Sequence, residues 1–203
     1  MGKTTLLRQL LSPLPSRLVV VDSLGELSRK GFVQGVTPDE FGRILTERET
    51  YAVGVYPDSD ETFEWVCDAA AARSDITLAI DELDRWLPTT SHLPPQSLLD
   101  MSLTGGHYGQ HLICIVHRPA GIHHAILSQS TVWVFPMFDA NDRRTVQKHT
   151  ARPNNPAGVD PGELAILESD ERGWTQRVEV ARVSHTEVQH LAFDLRTGVL
   201  TSL

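Results

Sequence analysis

Two short groups of residues in this sequence have the types and spacing that nucleotide chemistry requires. Gly2-Lys3-Thr4-Thr5 matches the second half of the phosphate-binding motif G-x-x-x-x-G-K-[ST]. In that motif, backbone amides surround the α- and β-phosphates, the lysine reaches the β- and γ-phosphates, and the hydroxyl ligates Mg²⁺. Lys3 and Thr4 are therefore the candidate phosphate and Mg²⁺ contacts, and Gly2 and Thr5 complete the binding loop.

The second group is the acidic pair Asp81-Glu82, which follows the apolar run from Thr77 to Ile80. At the tip of a buried strand, Asp81 can hold the Mg²⁺ shell opposite Thr4, and Glu82 can polarise the attacking water. The alternative is a strand followed by an acidic helix start, which the helix dipole favours without any catalysis. The acidic pair comes after the phosphate-binding motif and two predicted strands, and this position favours a nucleotide site over the alternative.

The phosphate-binding motif is represented here only from its last variable position, which Met1 occupies. We expect Met1 to be an internal methionine of the loop. The in-frame codons before it should then encode an apolar strand, a glycine and three further residues. The alternative is a degenerate loop that no longer binds nucleotide.

Composition describes an ordinary globular protein of 203 residues, with 40% apolar and 22% charged residues. No apolar run approaches the roughly 20 residues that span a bilayer, so no membrane segment is predicted. A net charge of −8 excludes a protein that coats nucleic acid with its whole surface, but it allows a local DNA contact. Cys67 and Cys114 indicate neither a disulfide framework nor a metal site, and they favour a reducing compartment.

Apolar runs alternate with helical patterns along most of the chain. Strands are predicted at 17–22, 51–56, 76–80, 111–117 and 131–135, with helices at 37–48, 59–73, 95–104, 121–129 and 139–149. The helix near 37 has a good start, because Thr37 is followed by Pro38 and Glu40. Short continuous apolar strands separated by helices predict a mostly parallel sheet with helices on both faces. Ligands of such sheets bind beyond the carboxyl ends of the strands.

The last part of the chain has a different pattern. A loop with three prolines occupies residues 152–162, and strands predicted at 163–167 and 176–183 form a C-terminal β-hairpin. About 40 residues are too few for an independent core. We therefore expect one domain over 1–203, with a core at 1–150 that is completed by 151–203.

His117 and Arg118 follow the strand predicted at 111–117, beside the strand that ends in the acidic pair. A polar side chain at that tip can contact the γ-phosphate and distinguish ATP from ADP. The alternative is that His117 only ends the strand and Arg118 pairs with a surface carboxylate. A histidine metal site is not predicted, because the glycines between 105 and 109 make the segment between His107 and His111 a turn.

With these features in this order, the sequence resembles the FtsK–HerA superfamily of DNA-translocating and DNA-packaging ATPases. His117-Arg118-Pro119 is similar to the Gln-Arg-Pro of that family, and the Gly105–Gly109 turn is similar to its basic-Tyr-Gly turn. The resemblance covers residues 1–168 through the segments 2–5, 79–82, 105–109, 117–119, 126–130, 138–142 and 162–166.

This resemblance implies a RecA-like P-loop NTPase that uses ATP and Mg²⁺ and works as a homo-oligomeric ring of five or six subunits. A chain with room for the motor alone looks most like the genome-packaging ATPases of tailless icosahedral viruses with an internal membrane. The implied function is an ATP-driven motor that packages viral double-stranded DNA into a preformed capsid, in the host cytoplasm or on the virion, with a capsid vertex or portal protein as partner. The alternatives are a filamentous-phage-type assembly ATPase, a regulatory P-loop NTPase and a non-hydrolysing relic.

The residues implied to carry catalysis are Lys3, Asp81, Glu82, His117 and Arg118. Two positions depart from the family pattern. His117 stands where the family usually has Gln, so the contact depends on the protonation of an imidazole. The turn from Thr104 to His107 lacks the arginine that often serves a neighbouring subunit, and the candidates to replace it are Arg85, Arg143 and Arg144.

Overall fold

The computed structural model describes residues 2–87, 93–137, 139–153, 155–169, 171–172, 175–184 and 186–203. They form two compact units, each named here after its sheet. The parallel unit contains residues 11–117 and 121–126, and the antiparallel unit contains residues 2–10, 118–120 and 127–203. The single domain expected over 1–203 stays a prediction.

Eight α-helices and ten strands follow one another in the described residues. The helices are α1 (Lys3–Leu10), α2 (Glu26–Arg29), α3 (Pro38–Glu47), α4 (Asp60–Ala71), α5 (Leu83–Trp86), α6 (Gln96–Thr104), α7 (His124–Gln129) and α8 (Ala140–Thr150). The strands are β1 (Arg17–Val21), β2 (Gln34–Val36), β3 (Tyr51–Val55), β4 (Thr77–Ile80), β5 (His111–Cys114), β6 (Val132–Val134), β7 (Ile166–Ser169), β8 (Thr175–Val183), β9 (Val188–Asp194) and β10 (Leu200–Ser202).

The parallel unit is built on a five-stranded sheet in the order β2-β3-β1-β4-β5. Every neighbouring pair is parallel. Of the three inner strands, β1 and β4 are buried almost throughout, as their Val, Leu and Ile content predicts. The register aligns Val21 with Val55 and Ile80, and Ile80 with Cys114. The strands therefore end together, and the residues that follow them meet at one edge. The predicted mostly parallel sheet with flanking helices is confirmed.

The antiparallel unit contains a second sheet in the order β10-β9-β8-β6, with β7 also paired to β8. The antiparallel pairing of β7 with β8 confirms the predicted C-terminal hairpin. The strand predicted at 131–135 is β6, but its expected place in the parallel sheet is wrong. It pairs antiparallel with β8, Val132 opposite Val183. The nine-residue β8 is long enough to pair with β6, β7 and β9 along its length.

The two faces of the antiparallel sheet carry separate apolar clusters. Leu6 of α1 packs with Val178, Val180, Leu191 and Phe193 on one face. Val146 of α8 packs on the other face, with Val134, Val159, Leu164, Ala181 and Val183. Side chains of β8 alternate between the clusters, as the period of two in a strand requires. Among the described helices, none has the length and apolar character needed to cross a bilayer.

The start of α3 shows how local sequence fixes a helix in the parallel unit. The Glu40 amide donates to Thr37 Oγ1 at 3.3 Å, and the Glu40 carboxylate accepts the Thr37 amide at 2.9 Å. This reciprocal capping box, with Pro38 at the first helical position, confirms the predicted start.

We expect Thr37→Ala to lower the free energy of unfolding by about 1 kcal/mol, because the Glu40 amide loses its acceptor. The matching fall in melting temperature is about 2–4 °C for a chain of this size. Thr46→Ala is the control, since Thr46 lies exposed inside the same helix and bonds only to backbone carbonyls of its own turn. An equal loss in both variants would contradict a specific role of the cap.

Candidate active site

Three loops meet at the carboxyl edge of the parallel sheet, within the parallel unit. Asp22-Ser23 follows β1, Asp81-Glu82 follows β4, and the loop that reaches His117 follows β5. The β5 strand ends at Cys114 rather than at His117, so the histidine lies in the loop beyond the strand. The structure thus brings together three of the residues predicted for catalysis: Asp81, Glu82 and His117.

The turn that carries the acidic pair is held by the strands on both sides of it. The Asp81 amide donates to the Val21 carbonyl at 3.0 Å, and the Leu83 amide donates to the Ile115 carbonyl at 2.8 Å. Between them, Glu82 adopts a left-handed conformation with φ 58° and ψ 56°. This conformation costs a non-glycine residue about 1–2 kcal/mol. It persists because the flanking hydrogen bonds determine the path of the chain.

Ser23 fixes the same turn from the β1 side, and sequence reasoning did not identify it. Its hydroxyl donates to the Asp81 carbonyl at 2.8 Å and accepts Trp86 Nε1 at 3.0 Å. Its carbonyl accepts Arg85 Nη1 at 2.8 Å. Ser23 is fully buried, and the Trp86 ring stacks on Phe63 with centroids 4.9 Å apart. In the sequence, Trp86 indicated that such a partner exists, because a buried indole N–H needs a hydrogen-bond acceptor.

Glu82 and His117 lie close enough for an ion pair when the imidazole is protonated. His117 Nδ1 is 3.9 Å from Glu82 Oε1. The His117 amide donates to Asp84 Oδ1 at 3.1 Å, so the β5 loop is bonded to the helix that follows the acidic pair. The Glu82 carboxylate is only partly exposed, with 23% of its side chain accessible. It can therefore meet a water molecule while its backbone stays fixed.

Asp81 is a buried carboxylate among other negative charges. Burial, and then the charges of Glu82, Asp22 and Glu26, raise its pKa from the ordinary 3.8 to about 6. Asp22 is occupied as a helix cap, because it accepts the Ser28 amide and the Ser28 hydroxyl, each at 2.8 Å. A hard divalent cation suits such an oxygen-rich site, and Mg²⁺ typically uses one or two carboxylates while phosphates and waters complete its shell. The described residues contain no group of three or more His, Cys, Asp or Glu side chains that could hold a metal ion.

Gly2, Lys3, Thr4 and Thr5 belong to the antiparallel unit, where Lys3 begins α1. Gly2 has φ 97°, and a Cβ there would overlap the side chains of Leu195, Phe135 and Phe193. Only glycine therefore fits at this point. The first turn of α1 carries no acidic residue. Its leading amides have no partner within the helix, which makes such a turn a site for phosphate. The residues present thus fit the phosphates of ATP.

Arg118 contacts the start of α8 within the antiparallel unit. Its Nε donates to Asp142 Oδ2 at 2.9 Å, and its Nη2 is 3.8 Å from Asp139 Oδ2. The other oxygen of the buried Asp142 carboxylate accepts the Ala120 amide at 3.2 Å. Arg118 thus pairs with the buried Asp142 and the exposed Asp139, and its contact with the γ-phosphate stays a prediction.

The three arginines considered for a role in a neighbouring subunit have different surroundings. Arg85 is bonded to Ser23, and its guanidinium lies 5.9 Å from the centre of the exposed Tyr56 ring. Arg143 makes two bonds to Asp160, at 2.8 and 2.6 Å. Arg144 is exposed and has no hydrogen-bond or ion-pair partner in the described part of the chain. A role for any of them in a neighbouring subunit stays a prediction.

The surroundings of Asp81 predict that the carboxylate destabilises the metal-free protein above its raised pKa. The folded state keeps the proton between the ordinary pKa of 3.8 and about 6, whereas the unfolded state releases it. Stability therefore falls as the pH rises through that window and then levels off. In chelator-treated buffer, Asp81→Asn should raise the melting temperature at pH 7.5 by on the order of a few °C, and by much less near pH 4.

Thermal melts of both proteins across this pH range measure the effect. Asp68→Asn, on the exposed surface of α4, tests for a general effect of removing one carboxylate. A gain of the same size at pH 4 and pH 7.5 would show that the burial of charge is not its cause.

No protein-family model and no curated protein matches this sequence. Solved structures do match it. The genome packaging NTPase B204 from Sulfolobus turreted icosahedral virus 2, in complex with AMPPCP, is similar with a TM-score of 0.68 and 17% identity, over 93% of this chain and 90% of that one. The same NTPase in complex with ATP-γS has a TM-score of 0.64 and 17% identity, over 98% and 89%.

A third structure, B204, the DNA-packaging ATPase from Sulfolobus turreted icosahedral virus, has a TM-score of 0.65 and 16% identity, over 93% and 90%. At such identities the likeness concerns the fold, and it agrees with the resemblance seen in the sequence. The chain has the fold of these viral genome-packaging NTPases.

Proposed function

We propose that this protein is a Mg²⁺-dependent ATPase that moves double-stranded DNA during the packaging of a viral genome. The observation that carries this proposal is the acidic turn Asp81-Glu82, fixed at the end of a buried strand by bonds from Ser23 and to Ile115. The glycine-lysine-threonine start of α1 supports it, as does the fold shared with NTPases crystallised with AMPPCP and ATP-γS.

The proposed roles follow from the chemistry of each side chain. Lys3 and the leading amides of α1 bind the β- and γ-phosphates, and Thr4 and Asp81 hold Mg²⁺. When bound, the cation neutralises the charge that develops on the transferring phosphoryl group. Glu82 accepts a hydrogen bond from the attacking water and orients it in line with the bond that breaks. A backbone fixed on both sides of Glu82 suits this task, because a small displacement of the group that orients the water lowers the rate of hydrolysis steeply.

His117 is proposed to report the state of the nucleotide. Its imidazole is 3.9 Å from the Glu82 carboxylate, and its amide is bonded to Asp84. A side chain in this position can exchange the Glu82 carboxylate for a phosphate oxygen when nucleotide is present. Arg118 directly follows His117 in the chain, and its guanidinium is bonded to Asp142. It is proposed to respond to the same change of nucleotide state.

The proposed partner is duplex DNA, bound through the phosphate backbone and without sequence preference. A chain with net charge −8 can hold a polyanion only through a local basic surface. The proposal includes a ring of five or six copies, contact with a capsid vertex or portal protein, and a place in the host cytoplasm or on the virion. A regulatory NTPase with the same site would hydrolyse ATP without any response to DNA.

Glu82→Gln should keep ATP binding and lower turnover by at least about a hundredfold, since it removes the water-polarising charge but preserves the shape. Lys3→Ala should weaken ATP binding itself, because it removes a phosphate contact. Fluorescent-nucleotide titration and phosphate release measure the two effects separately. The control is Glu47→Gln on the exposed end of α3, and normal turnover in Glu82→Gln would show that another group acts on the water.

His117→Ala should reduce DNA-stimulated turnover several-fold and reduce ATP affinity less, because it removes the side chain that reports the nucleotide state and keeps Lys3 and the start of α1 intact. Turnover is measured with and without duplex, at protein concentrations that support rings. His190→Ala is a matched control, since His190 also faces a carboxylate, Glu179, but lies in the antiparallel sheet. If DNA leaves the turnover of the unmodified ring unchanged, the regulatory NTPase becomes the better interpretation.

A further inference from the structure

Helix α8 exposes two basic side chains one turn apart. Arg144 and Lys148 are four residues apart, so they lie on the same side of the helix. Both are exposed, and in the described part of the chain neither forms an ion pair or a hydrogen bond with another side chain. We call this pair the α8 basic face.

The sequence that follows the first turn of α8 is free of acidic residues as far as Val159, although the whole chain carries 26 of them and a net charge of −8. From Arg143 to Val159 there is no Asp or Glu, whereas Arg143, Arg144, Lys148 and Arg152 all occur. Arg143 is committed to Asp160, so its charge is compensated. A basic residue near the helix end, such as Lys148, also stabilises the helix dipole, but Arg144 lies a turn too early for that effect. The helix dipole therefore does not account for the pair.

The opposite side of α8 is anchored in the antiparallel unit. Val146 is buried in the apolar cluster, and the buried Thr150 hydroxyl accepts the Val159 amide at 2.9 Å. At the other end, Asp139 caps the helix by accepting the amides of Asn141 and Asp142. The α8 basic face is therefore presented from a fixed helix, which lowers the entropy cost of binding a ligand.

The first turn of the same helix holds the segment that follows His117. Asp142 binds both the Arg118 guanidinium and the Ala120 amide. A ligand that shifts α8 must shift this segment too, or break these bonds to a buried carboxylate. The basic face and the proposed nucleotide-sensing segment are thus parts of one bonded assembly.

We propose that the α8 basic face binds the phosphate backbone of duplex DNA and passes its occupancy to the segment Arg118–Ala120. The inference rests on the proposed function, because that function supplies the polyanion. Charge complementarity selects this partner, and the absence of Phe, Tyr and Trp from α8 favours contact with phosphates over stacking on bases.

The test is a titration of fluorescein-labelled duplex with the full chain over a range of salt concentrations, followed by anisotropy. Each phosphate contact contributes about 0.9 to the slope of log affinity against log salt. Arg144→Ala/Lys148→Ala should therefore make the slope shallower by about 2 and weaken binding at low salt about tenfold or more. The stimulation of turnover by limiting duplex should fall as well.

Two matched variants identify the cause. Arg43→Ala/Arg48→Ala removes two exposed charges from α3 and the residue after it in the parallel unit, and it should keep the slope of the unmodified protein. Arg144→Lys/Lys148→Arg preserves the charge on α8, and this variant should also keep the slope of the unmodified protein.

The outcomes separate this inference from the proposed function. If the unmodified protein binds duplex and the α8 double alanine variant has the same affinity and slope, the α8 inference is overturned and the proposed function stands. If the unmodified protein binds no duplex, both are overturned. Equal losses in the α3 and α8 double variants would also contradict the inference, because total charge would then be the cause.

Discussion

The hydrogen bond from the Ser23 hydroxyl to the Asp81 carbonyl is the constraint on which the candidate site depends. The Asp81 amide is held by β1 through the sheet, and this bond holds its carbonyl from the same side. With both groups engaged, the chain turns through the left-handed conformation of Glu82. Trp86 Nε1 completes the arrangement by donating to the same hydroxyl. A small buried hydroxyl thereby determines where an acidic side chain enters the site.

The candidate site contains interactions that oppose folding, as functional sites commonly do. A buried Asp81 close to Glu82, Asp22 and Glu26 and a left-handed Glu82 both oppose folding. The sheet offsets these costs, because β1 and β4 bury almost every side chain they carry. A cation that binds only the folded protein would relieve the repulsion and stabilise the protein further. The same charges would thus make the site selective for a divalent ion.

Much of this architecture can be read from the sequence, where the signal is local. Runs such as Leu18–Val21 and Leu78–Ile80 predict buried parallel strands, and Thr37 with Glu40 predicts a helix start. Asp81-Glu82 is conspicuous because it ends such a strand and comes after Gly2-Lys3-Thr4 in the sequence.

Features that depend on distant partners were not predicted. The strand Val132–Val134 is as apolar as the parallel strands, and only its pairing with β8 places it in the other sheet. The strands β9 and β10 were missed, because Gln189 and His190 interrupt the apolar pattern of β9. Ser23 was missed because nothing near it in sequence indicates that a tryptophan 63 positions later needs its hydroxyl.

The packing of α1 bears on the order in which the protein acquires its parts during synthesis. Leu6 lies among side chains of β8 and β9, and Gly2 lies against Phe193 and Leu195. The residues at the start of α1 are made among the first of those seen here, but their packing partners are made among the last. A ribosome-bound chain can complete the parallel sheet while this turn still lacks its support. Any function of this turn that needs the packing of α1 would thus begin only after the last strands have left the ribosome.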